Sequence, residues 1–73
     1  MNFGKAIVSA RKKAGLSQVD LAKKLDVATG TVAGWELGPG KENGHGFPLH
    51  RLDDIANALG LSVDALIKAA KVP

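Results

Sequence analysis

The spacing of apolar residues between positions 17 and 38, SQVDLAKKLDVATGTVAGWELG, constrains this chain more than any other feature. Leu21, Ala22 and Leu25 fall on one stripe at helical spacing, and Val32 with Trp35 makes a second stripe. Only Asp26, Val27 and Ala28 lie between them, with Val27 apolar enough to close the turn. Two helices joined by so short a connection must cross steeply and share one core.

The remainder reads as three more short helices. Helix 1, about residues 3–14, carries Phe3, Ile7, Ala10 and Ala14 on one face, with Lys5, Lys12 and Lys13 directed away. Lys12 and Lys13 fall in its last turn, where the helix dipole favours cations, and Gly15 ends it. Ser17 then caps helix 2, about 18–25, with Asp20 as its capping-box partner and Leu16 and Leu21 in the staple positions. The string Gly-Leu-Ser returns at Gly60-Leu61-Ser62, one turn chemistry used twice. Gly60 ends helix 4 (about 49–59, with Leu52, Ile55, Ala56 and Leu59), and Ser62 caps helix 5 (about 63–70, with Val63, Leu66, Ile67 and Ala70). There is no strand candidate. The expected fold is all-α, five short helices around one core, in a single domain over residues 1–73.

Composition sets matching limits. Seventy-three residues build a core near the lower size limit for independent stability. Without cysteine, neither a disulfide nor a thiolate zinc site can reinforce it, which suits a reducing cytoplasm. No apolar run approaches the roughly 18 residues of a membrane span, and the start does not read as a signal peptide. Ten Lys and Arg against seven Asp and Glu leave a net charge of +3, permissive for a polyanionic partner.

Helix 3, about 29–37, breaks this regular grammar. Its cap position holds Ala28, a poor cap, and Thr29 is the alternative start. Gly30 and Gly34 fall inside it, each costing about 1 kcal/mol relative to Ala. Either function overrides local propensity here, or the helix has simply drifted. Residues 38–48 form the longest stretch without helical pattern and hold four of the nine glycines. Asn43-Gly44 is a turn signal, but no alternating apolar residues flank it as a hairpin requires.

The pattern resembles the Cro/repressor-type (xenobiotic-response-element-like) helix-turn-helix family of phage and plasmid transcriptional regulators. The likeness is carried by Arg11 with Gly15-Leu16-Ser17-Gln18, then Leu21-Ala22, Val27, Thr31-Val32, Trp35-Glu36 and Gly38. It continues through Leu52, Ile55-Ala56, Leu59 and Leu66, and departs only over residues 39–48, a gap that family members cross with fewer residues. The resemblance implies a lambda-repressor-like domain whose helix 3 enters the major groove of double-stranded DNA. It implies base reading from Thr29, Gly30, Ala33 and Gly34, with Thr31 in the same candidate set. It also implies a phosphate contact from Gln18 and an internal ion pair between Arg11 and Glu36.

On the residues themselves, the outer face of helix 3 is poor in side chains. Among Thr29, Gly30, Ala33 and Gly34 only Thr29 makes a side-chain hydrogen bond, so the bidentate pairs that dominate direct readout are missing. Anchoring to phosphate looks better supplied, from Gln18 in the first turn of helix 2, from Ser17 as a cap first and a phosphate contact second, and from Lys41. Trp35 reads as core rather than as a base-stacking surface. His45 and His50 lack the further ligands a metal site needs and read as solvated. Asp53 and Asp54 read as first-turn acids favoured by the helix dipole. No catalytic constellation and no cofactor is implied.

Two functions follow. The first is a cytoplasmic DNA-binding regulator, a repressor acting as a homodimer on two half-sites about one helical turn apart. The second is a protein-interaction module of the same fold, such as the antitoxin of a toxin-antitoxin pair, with Gly30, Ala33, Gly34 and Leu37 meeting a partner helix. Phosphate-driven binding weakens steeply with salt and apolar packing does not.

Overall fold

A computed structural model describes residues 2–40, 42 and 44–71. Its five α-helices are α1 (Phe3–Lys13), α2 (Gln18–Leu25), α3 (Thr29–Leu37), α4 (Leu52–Ala58) and α5 (Val63–Lys71). A short 3-10 turn, Leu49–Arg51, leads into α4 where the sequence pattern reads as one continuous helix. No strand occurs among the described residues. The five largest fully enclosed side chains are Ile7, Leu21, Val32, Ile55 and Leu66, one from each helix. Full burial of each contributes about 1.5–3 kcal/mol, so every helix is tied to the same centre. Around that centre α1 packs on α3 and α5, α2 on α3 and α4, and α4 on α5.

The helix ends share one mechanism. After α1, the Gly15 N–H donates to the Lys12 carbonyl and the Leu16 N–H to the Arg11 carbonyl, with Gly15 at φ 73°. After α4, Gly60 donates to Asn57 and Leu61 to Ala56, with Gly60 at φ 74°. Both are Schellman closures, in which a left-handed residue lets two orphan carbonyls be satisfied. The same pair of bonds closes α2, from Asp26 to Lys23 and from Val27 to Ala22. There the left-handed residue is Asp26, at φ 56°. A short polar side chain tolerates that region better than other non-glycine residues do, and this lets the helix-turn-helix connection be so tight.

Three helix starts are capped by side chains, Ser17 and Ser62 as the sequence marks them and Asn2 in addition. Asn2 Oδ1 accepts from the Lys5 N–H, Ser17 Oγ from Asp20 and Ser62 Oγ from Ala65. Helices α3 and α4 lack such a cap: the N-cap of α4 is Arg51 and that of α3 is Ala28, in extended geometry with no side-chain hydrogen bond, so that the first helical residue of α3 is Thr29. A hydroxyl at Ala28 would reach an orphan N–H of the first turn. Ala28→Ser is therefore expected to raise stability by about 1 kcal/mol, which a thermal melt reads as an increase of several degrees. An unchanged melt would mean that the first turn gains nothing from a cap.

One close approach sets where α3 sits. A Cβ at Gly4 would lie 2.8 Å from the carbonyl oxygens of both Trp35 and Glu36. The first turn of α1 thus rests directly on the backbone of α3's last turn, a contact that only glycine allows.

Candidate nucleic-acid interface

The element that fixes α2 against α3 is a polar cluster under their shared end. Glu36, on α3, receives the Arg11 Nε–H at 2.8 Å on Oε2 and the Arg11 Nη2–H at 3.1 Å on Oε1. A third bond, 2.9 Å, comes to Oε1 from the Gln18 amide on α2. Arg11 also donates through Nη1 to the Leu16 carbonyl in the α1–α2 turn. Its side chain is 12% exposed and that of Glu36 8%. The hydrogen bond to Glu36 raises the Arg11 pKa further above its already high value. One carboxylate thereby joins three helices and a turn.

Gln18 is consequently held rather than free. Its amide nitrogen is engaged by Glu36, which orients the half-buried side chain at the first turn of α2. Ser17 is exposed and committed to a complete capping box, its Oγ accepting from the Asp20 N–H and its N–H donating to the Asp20 carboxylate, both at 3.0 Å. The Ser17 backbone N–H first, and then its hydroxyl, hold the Asp20 carboxyl below the usual carboxylate range. The stability this adds is present above the ordinary carboxylate pKa and fades as pH falls through the lowered value.

On α3, Thr29 and Gly30 are exposed and Thr31 and Ala33 half-buried. Gly34 departs from the expectation that it presents an open surface to a groove. It is buried, and a Cβ placed there would overlap the imidazole of His45. The Gly34 carbonyl accepts two N–H groups, from Gly38 as the chain leaves α3 and from His45 as it returns. Gly38 and His45 are thus pinned to one carbonyl. Gly44 lies against Gly38 so closely that no Cβ fits between them. Lys41 lies outside the described residues.

His45 is consequently not simply solvated: it is exposed, but its ring covers Gly34. Phe47 locks the returning chain. Its ring meets Phe3 edge-on at 4.5 Å and stacks on Trp35 at 6.2 Å between centroids. Sequence reasoning missed this role because Phe47 stands alone in a loop, outside any periodic stripe. It also missed Arg51, whose guanidinium donates to the Leu25 carbonyl at 2.9 Å and caps the C-terminus of α2 from the start of α4. Leu37, 52% exposed, and Gly30 remain of the four positions once offered to a partner helix, with Ala33 half-buried and Gly34 covered.

Residues 7–41 match the family model described as helix-turn-helix. The matched segment holds α1 from Ile7 onward, then α2, the Asp26–Ala28 connection and α3. Over these residues the chain is similar to the helix-turn-helix family of the Cro/repressor type, a DNA-binding class. No curated protein and no solved structure matches it. No helix among the described residues is long and apolar enough to cross a membrane.

Proposed function

We propose that the chain is a transcriptional regulator of the phage or plasmid kind, acting in the cytoplasm as a homodimeric repressor on an operator of two half-sites. The observation that carries this reading is the coincidence of the family match with the α2–α3 pair that Glu36 clamps. A reading helix is useful only if it is held rigidly on its scaffold. The clamp fixes α3 relative to Gln18 and to the N-terminus of α2, so that phosphate anchoring and groove entry share one register. A subunit measuring 29 × 27 × 22 Å suits side-by-side copies whose α3 helices lie near the ~34 Å repeat of one duplex turn. Occupying an operator that overlaps a promoter would repress. The same chemistry assigns Gln18, Ser17 and Lys41 to phosphate and Thr29, Gly30, Thr31 and Ala33 to the groove.

The test is a gel shift on two duplexes, one enriched by the protein from a random-sequence pool and one scrambled, at two salt concentrations. Binding is expected to weaken steeply with salt. Gln18→Ala is expected to weaken both duplexes about equally, whereas Thr29→Ala narrows the preference between them. A protein that binds neither duplex, or binds with no salt dependence, sinks the reading in favour of a protein-interaction module.

A further inference from the structure

The outer face of α3 lacks a side chain where it has Gly34, yet that space is filled. The His45 imidazole lies where the first atom of a residue-34 side chain would be, with its Nε2, Cδ2 and Cε1 atoms nearest. We propose that His45 is a specificity-determining residue of this interface: lying over Gly34, it stands in for the missing side chain of α3 and offers its imidazole to a purine edge in the major groove. The assignment rests on the DNA-binding reading above and adds to it a reading residue from outside the helix.

Three observations carry it. Helical geometry puts Gly34 on the outer side of α3 with Gly30 and Ala33, away from Val32 and Trp35, which face the core. His45 therefore joins that outer face without belonging to the helix. Its backbone is held from both directions, by its own N–H on the Gly34 carbonyl at 3.1 Å and by Phe47 wedged against Phe3 and Trp35 two residues on. A reading group held this way loses less freedom on binding than one on a free loop. Finally, the ring is not consumed by the fold. His45 is exposed, and among the described residues nothing hydrogen-bonds its nitrogens. Nδ1 is not among the ring atoms closest to Gly34, and lies on the far side of the ring. An imidazole N–H there matches the N7 and O6 acceptors that guanine presents in the major groove, or the N7 of adenine. On α3 itself, the Thr29 hydroxyl is the hydrogen-bonding group among Thr29, Gly30, Ala33 and Gly34.

The experiment measures affinities of the parent, His45→Ala, Gly34→Ala and the double variant for the enriched and scrambled duplexes, with a thermal melt of each. His45→Ala is expected to lower the ratio of the two affinities about tenfold, the scale of one lost base contact. Gly34→Ala displaces the ring and is expected to give a similar loss, with the double variant no worse than either single one. An equal loss on both duplexes with a shallower salt slope makes His45 a phosphate contact and overturns the assignment. So does an unchanged ratio, or a parent that binds duplex DNA but enriches no sequence. A parent that binds no duplex at all fails the DNA-binding reading itself, an outcome distinct from these.

Discussion

Glu36→Ala is expected to remove most of the stability of this domain. The side chain is 8% exposed and accepts three hydrogen bonds, two from Arg11 and one from Gln18. Its loss leaves the Arg11 guanidinium without its counter-charge at a site with little access to water. Breaking one partner of such a pair costs about 3–5 kcal/mol. A chain of this length has roughly 4–11 kcal/mol in total. The melting temperature is expected to fall by at least about 12 °C. Glu36→Gln keeps the shape and an acceptor oxygen while losing the charge, and is expected to fall between the two. A Glu36→Ala melt within a degree or two of the parent would show that water reaches Arg11 freely and that the cluster does not hold α3. Where the variant remains folded at low temperature, α3 is no longer registered against Gln18, so DNA affinity is expected to drop as well.

The all-α architecture was legible because its signals are local. The five side chains at the centre of the core each lie on an apolar stripe with helical period, and Gly15 and Gly60 stop α1 and α4 by a closure that favours glycine. The closure of α2 was harder to read, since Asp26 occupies the left-handed position that glycine holds in the other two. What the sequence concealed is long-range. Gly34 reads as a bare patch on a helix until His45, eleven residues later, is brought back over it. Phe47 carries no periodic signal, yet its two aromatic contacts hold the returning chain. Arg51 carries no local signal of its role, yet it caps the end of α2 at Leu25, twenty-six residues earlier. Residues 44–48 resisted interpretation for the same reason: their placement comes from the surface they return to and not from their own pattern.

Trp35→Ala is the second substitution expected to have a large effect, and it separates the core from the loop. Trp35 is 4% exposed, lies in the central cluster, and presents a ring face on which Phe47 stacks. Removing a buried aromatic side chain of this size costs about 3–5 kcal/mol through lost burial and the cavity left behind. A far-UV circular dichroism melt, which does not depend on the lost fluorophore, is expected to show a large drop in transition temperature. The loss reaches further, because Phe47 then keeps only Phe3 as an aromatic neighbour. The His45 and Gly38 N–H groups, both bonded to the Gly34 carbonyl, are expected to exchange faster with solvent. Phe47→Ala isolates that second effect. Phe47 is half-buried and outside the central cluster, so its removal is expected to cost less than that of Trp35 while speeding exchange at His45 by more than at core amides such as that of Leu21. If Phe47→Ala leaves exchange at His45 unchanged, the aromatic contacts do not hold the returning chain. If Trp35→Ala melts like the parent, the ring is not the core element that its burial indicates.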